Sequence, residues 1–263
     1  MTTVDTLTTP GRLETALRTA GRKLLVPYVT GGLTDNWTDF IAAYEQAGAD
    51  AVEIGLPFSD PMIDGSVIQQ ASDVALARGT TVASILADVA KLRPGIPLVA
   101  MTYYNLVQRR GLAVFCAALA EAGISGLIVP DAPLEEAGDL AAAAGQHGVE
   151  LVRLAAPSTP PARLTEIAER SRGFIYAISL MGTTGVRAEL AATAGQLAAD
   201  LKARTDMPVI LGLGISTPEH AAEASRYADG VVIASRIMRE VLDGATPAEV
   251  GAWLATVRTA LDA

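Results

Sequence analysis

The stretch Leu24-Leu25-Val26-Pro27-Tyr28-Val29-Thr30 is a nearly unbroken run of apolar residues, and this pattern predicts a strand that is buried on both faces. Shorter runs of the same kind recur along the chain, and longer amphipathic segments separate them. The predicted strands are Leu24–Thr30, Ala51–Gly55, Leu98–Thr102, Gly126–Val129, Glu150–Ala155, Phe174–Ser179, Val209–Leu213 and Gly230–Ala234.

Eight strands that each precede a helical segment predict an α/β fold, a closed (β/α)8 TIM barrel. The length of 263 residues agrees with the size of about 250 that is typical of this barrel. No low-complexity linker interrupts the alternation, so residues 1–263 are expected to form one domain. An open doubly wound sheet is the alternative, but no Gly-x-Gly-x-x-Gly pattern follows the first strand.

Threonine–proline pairs predict the starts of several helices. Thr9-Pro10, Thr217-Pro218 and Thr246-Pro247 each combine an N-cap residue with a proline at the first helical position. Asp35-Asn36 predicts the cap of a helix that runs through Ala47. Periodicity predicts further helices from Gly111, Leu134, Pro161 and Leu190.

Composition excludes several classes of protein. The net charge is -9 and no run of Lys and Arg is present, so a nucleic-acid partner is not expected. No uncharged apolar run reaches membrane-spanning length, and the N-terminus lacks the pattern of a signal peptide. The one cysteine, Cys116, lies in an apolar segment and is expected to be a small buried hydrophobe. These features predict a soluble cytoplasmic protein.

Glu53 is the unexpected residue in the second predicted strand, because a buried carboxylate costs several kcal/mol unless it is paired or functional. In a (β/α)8 barrel, catalytic residues lie at the carboxyl ends of the strands. Glu53 is therefore a catalytic candidate, with a buried salt bridge to Arg153 as the alternative. The loop that follows adds Asp60 and Asp64, each of which could instead be an ordinary turn residue.

Several kinds of enzyme chemistry lack the residues that they usually need. A Schiff-base or pyridoxal-phosphate enzyme needs a lysine in the pocket, whereas Lys23 precedes the first strand and Lys91 and Lys202 lie in helical segments. A zinc aldolase needs clustered ligands, whereas His147 and His220 are scattered and are expected to face solvent. Proton transfer by carboxylates, with no metal and no cofactor, is the chemistry that remains.

The segment from Glu53 to Pro61, Glu-Ile-Gly-Leu-Pro-Phe-Ser-Asp-Pro, together with Asp64-Gly65 closely resembles the signature of the tryptophan synthase alpha subunit family. The resemblance extends over essentially the whole chain. Supporting segments are Pro27–Gly32, Met101–Asn105, Leu127–Asp131, Gly182–Gly185 and Gly212–Ser216.

The resemblance implies cleavage of indole-3-glycerol phosphate to indole and glyceraldehyde 3-phosphate. It assigns Glu53 as the general acid and base that protonates indole C3 and helps to remove a proton from the glycerol hydroxyl. It assigns Asp64 as the group that accepts a hydrogen bond from the indole N–H. No cofactor is implied for this chain.

Substrate contacts are predicted on the last three strands and the loops that follow them, where TIM barrels often bind phosphate. Tyr176 could line the indole pocket, although an aromatic residue on a strand is usually core. The motifs of the resemblance add residues to this set. The predicted substrate-binding residues are Tyr176, Thr184, Gly185, Leu213, Gly214, Ala234 and Ser235.

Several positions depart from the pattern of the family. Leu213 stands where phenylalanine is common, and Ile63 precedes the aspartate where a small residue is usual. Ala234 replaces a phosphate-loop glycine, and Arg236 follows Ser235 where a small residue is typical. The sixth loop departs at Leu180-Met181. Ala234 is expected to keep its backbone donor if its φ is negative.

The resemblance also implies a partner, a pyridoxal-phosphate beta subunit in an α2β2 heterotetramer. The loop from Pro57 to Asp64, with Pro57 and Asp60 as contacts, is expected to lie near that interface. Two alternatives stay open from the sequence: a stand-alone lyase that releases indole, and a catalytically weak barrel kept as an allosteric partner of a beta subunit.

Overall fold

A closed barrel of eight parallel strands forms the centre of the molecule, of which the computed structural model describes residues 9–178, 187–212 and 214–263. Each strand pairs with its neighbours in sequence, and the last strand pairs with the first. The closed order confirms the predicted (β/α)8 barrel and excludes the open sheet. The strands are β1 (Leu24–Thr30), β2 (Val52–Gly55), β3 (Leu98–Met101), β4 (Ile124–Ile128), β5 (Glu150–Ala155), β6 (Ile175–Ile178), β7 (Val209–Gly212) and β8 (Gly230–Ile233).

Each predicted apolar run forms a strand, and the bounds of β1 and β5 agree with the prediction at both ends. The largest shift is in β4, which begins at Ile124 rather than Gly126. The predicted ends of the sixth and seventh strands, Ser179 and Leu213, lie outside the described residues.

Helices cover the outside of the barrel, and none of those in the described ranges is long and apolar enough to cross a membrane. They are α1 (Arg12–Thr19), α2 (Trp37–Gln46), α3 (Ser66–Ala77), α4 (Val82–Val89), α5 (Tyr104–Arg110), α6 (Leu112–Glu121), α7 (Gly138–Gln146), α8 (Pro161–Arg170), α9 (Arg187–Lys202), α10 (Pro218–Ser225), α11 (Ser235–Leu242) and α12 (Pro247–Asp262).

Two of the three threonine–proline starts are confirmed. The hydroxyls of Thr217 and Thr246 accept hydrogen bonds from backbone N–H groups of the first turn of α10 and α12, and a proline follows each of them. The prediction from Pro161 is also confirmed, whereas α7 begins after the predicted Leu134 and α9 before the predicted Leu190.

The start predicted at Thr9-Pro10 is wrong, because the N-cap of α1 is Gly11. A carboxylate distant in sequence accepts hydrogen bonds from the free N–H groups of the first turn. Glu150 at the start of β5 accepts hydrogen bonds from the N–H groups of Leu13 at 2.6 Å and Glu14 at 3.1 Å. A Cβ at position 11 would lie 2.5 Å from the carboxyl carbon of Glu150, so glycine leaves room for this contact. A tertiary cap therefore replaces the local one that the sequence predicted.

The core has two layers, as the alternation of strand side chains requires. Inward residues fill the barrel, and Leu13 and Leu17 of α1 pack against them at the amino end of the strands. Outward residues of the strands pack against the helices. Cys116 of α6 belongs to this outer layer, where burial raises the pKa of its thiol to about 11, which confirms the predicted packing role. Because α1 covers the amino end, the carboxyl ends of the strands are the place for a site.

Candidate active site

Glu53 lies on β2, where its neighbours across the sheet are Tyr28 of β1 and Val99 of β3. Residues paired across neighbouring strands point to the same face of the sheet, and Val99 belongs to the cluster that fills the barrel, so Glu53 also points into the barrel. Only 2% of Glu53 is exposed. Arg153 lies on the opposite side of the sheet, since its neighbours Val152 and Leu154 are the inward residues of β5. Among the described residues no salt bridge joins Glu53 to Arg153, so that alternative is wrong.

The environment of Glu53 favours its protonated form. Burial first, and repulsion from the carboxylate of Asp64 second, raise the pKa of Glu53 from 4.5 to about 8. Within the part of the chain that the structure describes, its Oε2 atom has no hydrogen-bond partner, so no donor there stabilises the ionised form at that atom. At neutral pH the carboxyl group therefore holds a proton that it can deliver.

Asp64 lies in the loop after β2, and its environment differs from that of Glu53. Burial raises its pKa from 3.8 to about 6, while a hydrogen bond with Tyr103 opposes the increase. The Tyr103 hydroxyl also accepts the N–H of Ile63 at 3.1 Å, and its ring stacks on Phe58 with centroids 5.3 Å apart. Tyr103 thus anchors the loop and the carboxylate together. The site combines a carboxyl that is mostly neutral at pH 7 with one that is mostly ionised.

Tyr28 is a site residue that the sequence analysis missed. Its buried hydroxyl accepts a hydrogen bond from the Thr30 side chain at 3.2 Å. Burial raises the pKa of Tyr28, and the nearby carboxylates Asp64 and Glu53 raise it further. The alternation of β1 places Tyr28 inward after Leu24 and Val26, so pattern and strand register together could have identified it.

Tyr176 of β6 is predicted to contact substrate, and the structure places it in the same part of the barrel. Burial raises the pKa of its phenol, and the charges of Glu53 and Asp64 contribute to the increase. A Cβ at Gly212 of β7 would lie 2.6 Å from the ring, so the glycine makes room for the tyrosine. The phenol itself is buried, whereas the residue as a whole is partly exposed at the edge of the cluster that fills the barrel.

Among the predicted phosphate contacts in the described residues, Ala234 and Ser235 lie at the N-terminus of α11 and Gly214 lies in the segment after β7. Ser235 is the first residue of that helix and is exposed, and the N-cap residue Ala234 contributes no side-chain hydrogen bond to the helix start. Ala234 has a negative φ of -119°, so an alanine can replace the glycine here and keep its backbone N–H as a donor. Gly214 is exposed, with a φ of +63° that favours glycine. Thr184, Gly185 and Leu213 lie outside the described residues, as does Leu180-Met181.

A family model for the tryptophan synthase alpha chain matches residues 15–258. The alpha chain of Chloroflexus aurantiacus is 45% identical over 227 residues, which cover 84% of this chain and 85% of the relative. The alpha chain of Gloeobacter violaceus is 42% identical over 254 residues, with 94% and 92% covered. This chain belongs to the tryptophan synthase alpha chain family.

Solved structures agree with this assignment. Tryptophan synthase subunit alpha from Legionella pneumophila superposes with a TM-score of 0.86 at 32% identity, covering 97% of this chain and 99% of the other. A tryptophan synthase chain from Mycobacterium tuberculosis superposes with a TM-score of 0.88 at 35% identity, covering 97% and 100%. Membership in this family assigns the chain a lyase role in tryptophan biosynthesis.

Arg236 is one of the departures from the pattern of the tryptophan synthase alpha family, and the structure shows where its charge lies. The guanidinium stacks over the ring of Trp253 in α12, 5.2 Å from the centroid. It also forms a salt bridge with Glu240 at 2.6 Å. The charge of Arg236 is therefore paired with Glu240 and stacked on Trp253, and it does not point towards Ser235. Ser235 stays exposed beside it.

In the loop that resembles the tryptophan synthase alpha signature, one of the two residues predicted to contact a partner is buried and the other is exposed. Pro57 is buried against its own chain, so it can shape the loop but offers little surface. Asp60 is exposed and accepts a hydrogen bond from the Ser59 hydroxyl at 2.5 Å. Met62 and Ile63, which the interface prediction omitted, are 88% and 46% exposed. An exposed Met-Ile pair between two aspartates was the available signal for this surface.

The remaining reactive side chains lie elsewhere. Lys23 donates to the carbonyl of Ala228, and Lys202 pairs with Asp229 at the start of β8. His220 is half-buried in the first turn of α10 and hydrogen-bonds Ser216, and His147 is also half-buried, so both keep part of their surface open to solvent. In the described parts of the chain no three His, Cys, Asp or Glu side chains form a group that could hold a metal ion.

Proposed function

We propose that this chain cleaves indole-3-glycerol phosphate to indole and glyceraldehyde 3-phosphate. The observation that carries the proposal is the pair of carboxyl groups whose pKa values differ, about 8 for Glu53 and about 6 for Asp64. Two acids with separated pKa values can divide the work of a proton donor and a charge stabiliser. The cleavage needs both roles.

Glu53 would supply the proton that starts the reaction. Protonation at indole C3 converts the ring into an electron-accepting indoleninium cation. Removal of the proton from the adjacent glycerol hydroxyl then forms the aldehyde carbonyl, breaks the carbon–carbon bond and returns an electron pair to the ring. Glu53, once ionised, can take up that hydroxyl proton, so it ends the cycle in the form in which it began. A positioned acid and base of this kind contributes about 10²–10⁴-fold to the rate.

Asp64 would stabilise the cation. Its carboxylate, mostly ionised at neutral pH, can accept a hydrogen bond from the indole N–H, and this bond strengthens as positive charge develops on the ring. The hydrogen bond with Tyr103 favours the ionised form. Tyr176 and Tyr28 would form walls of the indole pocket, since both lie close enough to the two carboxyl groups for their charges to raise the phenol pKa values.

The phosphate would bind at the N-terminus of α11. Free backbone N–H groups at a helix start attract anions without any basic side chain, and Ser235 adds a hydroxyl. Exposed Gly214 lies on the loop after β7 and has no side chain to obstruct an anion. The roles predicted for Thr184, Gly185 and Leu213 stay predictions. The proton transfers described here require no cofactor.

We also propose that the chain works in an α2β2 complex with a tryptophan synthase beta subunit. The similar chain from Mycobacterium tuberculosis comes from a structure of tryptophan synthase. The exposed residues Asp60, Met62 and Ile63 lie on the loop that also carries Asp64, so a partner bound there would act directly on a catalytic residue. The retention of two carboxyl groups with shifted pKa values disfavours a catalytically weak binding partner.

Indole release in steady state tests the proposal, first with the isolated chain and then with a beta subunit added. We expect Glu53→Gln to lower kcat by about 10²–10⁴-fold, and Asp64→Asn to lower it as well. Glu169→Gln, which changes an exposed carboxylate on α8, is the matched control and should retain wild-type activity. A Glu53→Gln variant as fast as wild type would refute the mechanism.

The same assay separates the alternatives. Turnover that a beta subunit does not change would favour the stand-alone lyase. Absence of turnover in wild type, both alone and with the beta subunit, would favour the allosteric partner.

A further inference from the structure

Arg153 is a buried cation that has no anionic partner among the described residues. It lies on the outer face of β5, where only 7% of the residue is exposed. Among the described residues, the one hydrogen bond of its side chain runs from Nη2 to the carbonyl of Ala137 at 3.4 Å, and its Nε donor has no partner. Burial and the neighbouring charge of Arg170 lower its pKa to about 10, so the side chain still carries its charge at neutral pH. Buried charges are normally paired.

A cavity of about 290 Å³ lies beside Arg153, between the loop after β4 and helix α8. Its apolar walls include Val129, Leu134 and Ile167, and its polar residues include Thr159, Glu135 and Arg163. This volume is at the lower end of the range for small-molecule sites, about 300–1,000 Å³. The cavity therefore fits a ligand of a few heavy atoms.

The polar groups around the cavity favour an anion. The N-cap residue of α8, Pro160, contributes no side-chain hydrogen bond, and among the described residues no partner accepts from the N–H groups of Ala162 and Arg163, so these two donors are available there. Arg163 lies in this turn and pairs with Glu135 and, at 3.5 Å, with Glu166. These two carboxylates already neutralise Arg163, so the charge of Arg153 is left without a counterion within the described part of the chain.

We propose that this cavity is a second binding site, separate from the barrel mouth, which takes a small oxyanion such as a carboxylate or a phosphate with Arg153 as its charge partner. The site lies outside the barrel wall, because Arg153 faces the helices whereas Glu53 faces the interior. The N-terminus of α8 supplies further donors, and Glu135 limits entry to an anion small enough to avoid its carboxylate.

Residue-resolved NMR tests this site without an activity assay. The Nε–H resonance of Arg153 and the backbone amides of Ala162 and Arg163 are followed while inorganic phosphate, and in a separate series acetate, is added to the full chain. The amide of Ser235 reports the proposed substrate-phosphate site in the same spectra. We expect saturable shifts of the Arg153, Ala162 and Arg163 signals, with a midpoint different from that of Ser235.

Arg153→Leu replaces the charge with an apolar side chain among apolar neighbours, and Arg93→Leu removes an exposed charge elsewhere as the control. In Arg153→Leu the Ala162 and Arg163 shifts should disappear while the Ser235 shift persists; Arg93→Leu should behave as wild type. Signals of Arg153 that stay unchanged in wild type at anion concentrations that saturate Ser235 would overturn the proposal. So would Ala162 and Arg163 shifts that survive Arg153→Leu. Neither result depends on whether the chain cleaves indole-3-glycerol phosphate.

Discussion

The hydroxyl of Tyr28 on β1 occupies the space that a side chain at Gly55 on β2 would need. A Cβ at Gly55 would lie 1.8 Å from the Tyr28 oxygen and 2.5 Å from the ring carbon that bears it. The glycine therefore lets a phenol lie across the second strand, two residues beyond Glu53. A residue with a side chain at position 55 would displace the Tyr28 ring from its place beside Glu53.

Gly55→Ala should destabilise the protein by about 1–3 kcal/mol, because the tightly packed Tyr28 ring must move. Chemical denaturation measures the loss. Gly138→Ala is the control, since nothing lies within 4 Å of a Cβ there and its backbone is helical. Tyr28→Ala should remove the clash, so Gly55→Ala should cost much less in that background. Equal costs in both backgrounds would contradict the predicted overlap.

Tyr103→Phe should raise the pKa of Asp64 above its value of about 6, because the hydrogen bond from Tyr103 lowers that pKa. Carbon-13 NMR of the Asp64 carboxyl measures the change directly. In the pH dependence of kcat/KM, the acidic limb should move to higher pH. The ring is retained, so stacking on Phe58 should persist. A pKa that stays the same or falls would show that the phenol does not stabilise the carboxylate.

Much of this site follows from local sequence patterns. The eight strands are recognisable because parallel strands buried on both faces are continuous apolar runs, and Glu53 is conspicuous within one of them. Contacts between distant residues could not be predicted in this way. The carboxylate of Glu150 accepts a hydrogen bond from Leu13, 137 residues away in the sequence, and so caps α1. Local sequence patterns assign this cap to Thr9-Pro10.

The direction of Arg153 shows the same limit. Strand alternation places it on the face opposite to Val152 and Leu154, but which face lies inside the barrel depends on the whole closed sheet. Tyr103 illustrates a different difficulty: it lies beyond β3, and its contact with Asp64 requires the loop after β2 to fold back towards it.

The pKa of Glu53 predicts how stability depends on pH. The folded value of about 8 exceeds the ordinary value of 4.5, so the stabilisation is fully present below about 4.5 and is lost as the pH rises through about 8. Wild type should therefore lose up to about 4 kcal/mol over this window relative to Glu53→Gln, which does not ionise. Urea denaturation of both proteins at several pH values measures the difference. Parallel stability curves would contradict a raised pKa.

The buried pair of Asp50 and Arg258 should contribute strongly to stability, because it ties the last helix to the barrel. Arg258 of α12 lies 3.2 Å from the Asp50 carboxylate, and both residues are less than a tenth exposed. Asp50 also accepts the N–H of Leu25 at 2.8 Å, so it links α12 to β1. Arg258→Met should cost about 3 kcal/mol, since it leaves a buried carboxylate with fewer partners.

Lys91→Met is the control for this prediction, because Lys91 and Asp88 form an exposed pair at 2.9 Å, which should contribute less than about 1 kcal/mol. The cost of Arg258→Met should stay below the upper end of the range for buried pairs, since Arg22 still contacts Asp50 at 2.9 Å. Urea denaturation measures both variants under the same conditions. A loss from Arg258→Met no larger than that from Lys91→Met would show that the buried pair only offsets its own desolvation, and that apolar packing alone holds α12 on the barrel.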